Sequence, residues 1–91
     1  MQFEWDPKKA DGNLSKHGVS FDEASSVFGD PLAVSIPDPD HSVDEDRYLT
    51  TGFSSARRLL VVAHVYRGGS IRIIMARDAN TKERKQYESE E

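Results

Sequence analysis

Residues 58–78 read RLLVVAHVYRGGSIRIIMARD, and no other stretch restricts the fold as much. Two apolar arms flank Gly68-Gly69, and paired glycines accept the positive φ that a two-residue hairpin turn demands. The first arm, 58–66, is apolar on both faces at its centre, which predicts a central strand covered on both sides. The second arm, 70–78, is expected to return antiparallel to it. A chain of 91 residues is long enough to wrap this hairpin into one small domain, 1–91, with one core.

The flanking sequence supplies the rest of that domain. LAVSI (32–36) and RYLTTGF (47–53) predict two more strands, and FEW (3–5) a short first one. Asp6 suits a helix N-cap and Pro7 its first turn. Ala10, Leu14 and His17 follow on one helical face, and Gly18 is placed to end that helix in the left-handed region. Ser20 and Glu23 form a capping box for a second helix, with Phe21, Ala24, Val27 and Phe28 as its apolar stripe and Gly29-Asp30-Pro31 as its stop. Asn80 and Glu83 start a last helix, 81–89, whose one large apolar residue, Tyr87, predicts peripheral packing. The expected order is β-α-α-β-β-β-β-α: an α+β fold with an antiparallel sheet, two N-terminal helices and a short C-terminal helix.

Several function classes drop out early. No window approaches the roughly 20 apolar residues of a membrane helix, and MQFEWDPKKA lacks the apolar centre of a signal peptide. There is no cysteine, hence no disulfide and no zinc–thiolate site. A cytoplasmic protein is the simplest expectation. The net charge of −4 argues against a general nucleic-acid binder. The acid is localised, however. PDPDHSVDED (37–46) holds five acids and the tail Glu88, Glu90 and Glu91 three more, so the rest of the chain carries +4. A basic face remains available.

The candidate chemical groups are basic. Lys16 and His17 fall in the last turn of the first predicted helix, where cations favour the helix dipole; they could also open an active site. Arg77 follows Ile71, Ile73 and Met75 in strand alternation, which predicts an arginine among apolar neighbours, reaching for a carboxylate, a phosphate or solvent. Arg72 is expected on the opposite face as a surface charge. Arg47 follows Asp44-Glu45-Asp46, a setting for local ion pairing. Arg57-Arg58 at a turn read as solvated. Trp5 and Tyr66 read as core or sheet residues, with base stacking as the other use. His17, His41 and His64 match no zinc spacing, and the acidic loop lacks the calcium-loop pattern; no metal or cofactor is expected, and His64 reads as a hydrogen-bonded sheet residue. Without a P-loop, a nucleophile elbow or a cysteine, this set suits general acid–base chemistry with arginine support. RNA cleavage fits it, because the 2′-OH is itself the nucleophile.

Longer runs carry a resemblance. FEWDPKKADGNLSKHGVSFDEASSVFGDP, DHSVDEDRYLTTGFS and IRIIMARDANTKERKQY contain W-D-x-x-K, N-x-x-K-H-G-V-x-F, E-x-R and A-R-x-A-x-x-x-E-R-x-x-Y in order. Over about residues 3–87 the chain resembles the BrnT family, toxins of bacterial type II toxin–antitoxin pairs with a fold similar to RelE-type ribonucleases. The resemblance implies a metal-free, mRNA-cleaving ribonuclease. It also implies a BrnA-like ribbon–helix–helix antitoxin, two toxins assembling with two antitoxins, and operator DNA bound through the antitoxin. The positions it marks as functional are Lys16 with His17 beside it, Arg47 and Arg77, joined by Arg84 and Tyr87 in substrate binding. Two other readings compete with the nuclease: a non-catalytic binding module acting in a DNA-bound repressor complex, and a metal-dependent hydrolase built on the histidines.

Overall fold

The computed structural model describes residues 1–40 and 46–89. The predicted hairpin is its centre. β4 (Leu59–Arg67) and β5 (Ser70–Asp78) pair antiparallel, and the turn residues Gly68 and Gly69 both take positive φ, 57° and 88°. β3 (Arg47–Phe53) pairs antiparallel with β4, and β2 (Val34–Pro37) with β3. At the other edge β1 (Gln2–Glu4) pairs with β5, but parallel, giving the order β1-β5-β4-β3-β2. The sheet is therefore mixed, which corrects the antiparallel expectation. A three-residue strand has too little pattern to declare its direction, and β1 is aligned with β5 because the chain then climbs over one sheet face along that strand.

Three helices complete the fold. Asp6 Oδ1 accepts the Lys8 amide at the start of α1 (Pro7–His17), and Gly18, at φ 68°, ends it with its N–H on Leu14 O. Ser20 Oγ accepts the Glu23 amide at the start of α2 (Phe21–Ser26), which continues as a 3₁₀ turn over Val27–Gly29. α3 (Thr81–Ser89) opens with a reciprocal cap: Glu83 N–H to Asn80 Oδ1, and Asn80 N–H to Glu83 Oε1. No helix among the described residues is long and apolar enough to cross a membrane.

A β-bulge decides which side chains share a face. The β4–β5 register runs Ala63↔Met75 and then His64↔Ile73, so Ile74 is an extra residue. Inserting one residue reverses the inward–outward alternation beyond it. Ile73 and Ala76 join Leu60 and Val62 on the helix-covered face, against Val19, Phe21, Ala24 and Val27, all 1% exposed or less. Burying the valine, leucine, isoleucine and phenylalanine side chains of this set stabilises by about 1.5–3 kcal/mol each. Met75 and Arg77 turn to the other face, opposite Ala63 and Val61, and Arg72 lies there too, opposite Val65. Both strand-alternation readings are thereby corrected: Arg77 does not share the face of Ile71 and Ile73, and Arg72 does share that of Arg77.

α1 is also less apolar inside than predicted. Leu14 is 52% exposed, and the residue it buries is Asn13. The Asn13 side chain donates to Val19 O at 2.9 Å and Ala76 O at 2.8 Å, and accepts the Ala76 amide at 3.1 Å. β1 covers the β5 edge only at Ser70–Arg72. Beyond the bulge Asn13 takes the place of the missing neighbour strand, since buried backbone groups need partners.

Candidate active site

The motif that holds Lys16 and His17 can be read residue by residue. Asn13 pins α1 to β5, Gly18 makes the left-handed turn, and Val19 and Phe21 enter the core. Each has a structural task. Lys16 is exposed and His17 half-buried, and among the described residues neither side chain has a hydrogen-bond or ion-pair partner. They are the two chemically versatile groups in the motif that the fold does not consume.

The segment bearing them is fixed from below. Arg58 Nη2 donates to Gly18 O at 3.0 Å, and its guanidinium grips the Glu23 carboxylate through Nε (2.9 Å) and Nη2 (2.5 Å). Ser54 Oγ donates to the same carboxylate at 2.7 Å. The Arg58 hydrogen bonds hold the Glu23 carboxyl below its usual range against the opposing effect of burial, and Glu23 in turn raises Arg58. Arg58 is thus a paired residue, not the solvated one expected from its turn; Arg57, beside it at φ 62°, is exposed.

Arg77 sits at the same end of the sheet on the opposite face. Its Nη1 and Nη2 meet Glu83 Oε1 and Oε2 at 2.7 and 2.8 Å, and Nη1 also reaches Asp78 O at 3.2 Å. The hydrogen bond from Arg77 holds the Glu83 carboxyl down, with burial opposing and the Asn80 amide assisting; Glu83 raises Arg77. The pair borders a cleft of about 340 Å³ between α3 and the β2–β3 side of the sheet, floored by Leu49 and Val61 and rimmed by Asn80 and Lys82. Sequence reasoning used Glu83 only as a capping residue. The signal for more was its position six residues after Arg77, across the turn into α3.

The remaining candidates divide. Arg47 is half-buried at the far end of the sheet: it stands opposite Val65 and Arg77 opposite Val61, about 13 Å apart along β4 at the usual strand rise. The fold therefore does not bring Arg47 onto Arg77. Two of the acids expected to pair with Arg47, Asp44 and Glu45, lie outside the described residues with the rest of 41–45, His41 among them, and so do Glu90 and Glu91. Arg84 is exposed on α3. Tyr87 is the one buried residue of α3, 3% exposed: its ring meets Phe53 edge-on and its hydroxyl donates to Asp30 Oδ2 at 2.6 Å. Asp30 Oδ2 also accepts the Phe53 amide, and Gly52 is there because a Cβ would stand 3.0 Å from that of Ala33. Tyr87 is thus the anchor of α3.

Of the histidines, His17 and His64 are described, and they lie on different elements, at the end of α1 and within β4. His64 is fully buried in β4, with Nε2 2.7 Å from Thr50 Oγ1, which continues to Ser35 Oγ at 2.7 Å. Its Nδ1 has no hydrogen-bond partner among the described residues, and burial pushes the imidazole down to about 4. This is the hydrogen-bonded sheet residue the sequence predicts. Trp5 packs edge-on against Phe21, while Tyr66 is 60% exposed at the end of β4. No group of three potential metal ligands stands together among the described residues.

A comparison with curated proteins finds no match. Among solved structures, the crystal structure of the Brucella abortus ribonuclease toxin BrnT superimposes with a TM-score of 0.70 at 23% identity, covering 89% of this chain and 99% of that one. At that identity the likeness speaks for the fold. The family model described as "Ribonuclease toxin, BrnT, of type II toxin-antitoxin system" matches residues 5–83, a span that includes Lys16, His17, Arg47, Arg77 and Glu83. The chain belongs to the BrnT family of ribonuclease toxins.

Proposed function

We propose that residues 1–91 act as one toxin domain, an RNA endonuclease that needs no metal ion and is neutralised by a BrnA-like ribbon–helix–helix antitoxin. The observation that carries this reading is the family match over residues 5–83. The roles follow from the chemistry of the side chains: Lys16 and His17 lack hydrogen-bond and ion-pair partners among the described residues, and Arg77 presents a two-nitrogen fork. Lys16 or His17 takes the proton of the RNA 2′-OH, and its oxygen attacks the adjacent phosphorus. The 5′-oxygen of the next nucleotide leaves and is protonated, giving a 2′,3′-cyclic phosphate and a 5′-OH. Arg77 answers the charge that builds on the phosphate oxygens. Arg47, at the far end of the sheet, holds the strand away from the bond that breaks, and Arg84 meets the backbone from α3. Tyr87 contributes by keeping α3 in place. Two N-terminal helices over an antiparallel β2–β5 meander support kinship with RelE-type ribonucleases. The type II family also implies an antitoxin, with two copies of each chain assembling and reaching operator DNA through the antitoxin.

One observation favours a second reading, a non-catalytic module in a repressor complex: the charge of Arg77 is already met by Glu83. A cleavage assay separates the two. The purified chain is incubated with a long mRNA in EDTA beside an Arg77→Ala control of equal folded content. Cleavage by the native chain alone, with 2′,3′-cyclic ends, is the expected result. No cleavage by either, together with tight antitoxin binding, establishes the module. Cleavage that requires a divalent ion overturns the metal-free mechanism.

A further inference from the structure

The Arg77–Glu83 pair is built unlike an ordinary surface ion pair. The two carboxylate oxygens lie parallel to the two terminal guanidinium nitrogens at 2.7 and 2.8 Å, the fork geometry in which arginine also receives two phosphate oxygens. Both side chains are partly covered, 31% and 20% exposed, and the pair borders the 340 Å³ cleft. Glu83 has a second task through the same carboxylate: Oε1 accepts the Asn80 amide at 2.9 Å and so caps the start of α3. One carboxylate therefore joins the guanidinium to the helix.

We infer that Glu83 is an internal stand-in for the RNA phosphodiester, holding Arg77 in the RNA-free protein and giving it up when a phosphate enters the cleft, so that RNA binding loosens the N-terminal cap of α3. This rests on the assignment of Arg77 to phosphate binding. A phosphodiester competes for the same fork but cannot serve the Asn80 amide from the Glu83 backbone position. Occupancy of Arg77 by RNA and the cap made by Glu83 oppose each other, and the opposition is reciprocal by linkage. Asn80 and Lys82 on the cleft rim supply a donor and a charge for the incoming phosphate, against the carboxylate of Asp40, which also lines the cleft.

The test uses a single-stranded 2′-O-methyl RNA, which lacks the attacking hydroxyl and is not cleaved, and measures its affinity for the full chain against salt concentration. Glu83→Gln keeps an oxygen for the Asn80 amide but removes the competing charge. It is expected to bind the RNA about tenfold tighter, the size of one charge-assisted hydrogen bond, with a log–log salt slope steeper by about 0.7 as one more phosphate contact is counted. The double variant Arg77→Ala/Glu83→Gln should bind no tighter than Arg77→Ala. Unchanged or weaker binding by folded Glu83→Gln, while Arg77→Ala still weakens binding, overturns the inference alone. Arg77→Ala binding as well as the native chain overturns the phosphate assignment beneath it. Hydrogen exchange in the native chain gives a readout free of substitutions: the Asn80 amide should exchange faster when the RNA is bound, and protection there refutes the displacement.

Discussion

Arg58–Glu23 and Arg77–Glu83 use the same chemistry for different ends. In each, one guanidinium meets one carboxylate through two nitrogens. Around Arg58–Glu23 the partners close in. Ser54 Oγ takes a share of the carboxylate, Gly18 O takes Arg58 Nη2, and three chain segments are tied together. Around Arg77–Glu83 the additional partners are local, the carbonyl of Asp78 and the amide of Asn80, and a cleft lies alongside. An ion pair enclosed by further hydrogen bonds is a fastening, because opening it leaves several groups unsatisfied. One that borders a cleft and spans six residues opens at the cost of a single helix cap, the Asn80 amide on Glu83.

Removing each arginine in turn breaks the comparison most sharply. Arg77→Ala is expected to lower the rate of RNA cleavage by about 10²–10³, the loss usual for one preorganised donor to a developing oxyanion, with a small change in folding stability. Cleavage kinetics at matched folded content decide it; a near-native rate would remove Arg77 from the site. Asn13→Ala comes next, acting through stability. It deletes the hydrogen bonds to Val19 O, Ala76 O and Ala76 N–H in a buried setting, and should lower the unfolding free energy by about 2–4 kcal/mol in denaturant titration. A loss well under 1 kcal/mol would mean that water replaces the amide at the β5 edge.

Those two residues also mark what the sequence discloses. The hairpin was legible because an apolar run and a Gly-Gly turn are strong, local signals. The positions of Lys16 and His17 at the end of α1 were legible from Pro7, Gly18 and the capping box. The face of Arg77 was not, since it depends on the bulge at Ile74; the Ile73-Ile74 doublet, two apolar residues in succession, was the available hint. Nothing local in the sequence marks Asn13 as buried, because its partner Ala76 is 63 positions away. Arg58 was misread for a similar reason: Glu23 lies 35 positions away, and turn chemistry alone predicts solvent. Local order reaches the page through sequence; pairings across the fold do not.

pH separates the two regions from a third, the buried His64. Its folded value is lowered from 6.5 to about 4, so the unfolded chain binds the proton more readily. Stability should be full above pH 6.5 and fall as pH drops toward 4, by at most about 1.4 kcal/mol per pH unit. Glu23 and Glu83, both lowered, stabilise above the ordinary carboxylate value and lose that contribution at lower pH, as the medium passes through their folded values. Urea titrations from pH 7 to 4 on the native chain and on His64→Gln separate the contributions. The slope between pH 6.5 and about 4.5 should vanish in the variant, while the carboxylate loss below it persists. An unchanged slope would assign the acid sensitivity to other groups.

The two pairs are about equally covered, but the one that ties three chain segments together, Arg58–Glu23, should cost more in stability than Arg77–Glu83 when its charge is removed. Arg58 is 37% exposed at the side chain, so screening trims its ion pair, and about 1–2 kcal/mol is expected from Arg58→Ala. Tyr87→Phe sets the lower bound of the scale. It keeps the ring against Phe53 and removes only the hydroxyl on Asp30, whose carboxyl burial raises but the Tyr87, Phe53 and Leu32 hydrogen bonds bring below its usual range. Asp30 retains both amide donors, so the cost should stay near 1 kcal/mol and fall on the docking of α3. Hydrogen exchange along α3 reports this directly. If Tyr87→Phe releases α3 while Glu83→Gln does not, the hydroxyl is the tether of the helix and the carboxylate is left free to trade partners. If Glu83→Gln releases α3 as fully as Tyr87→Phe, the Arg77 pair is a fastening like that of Arg58, and the contrast between the two pairs collapses.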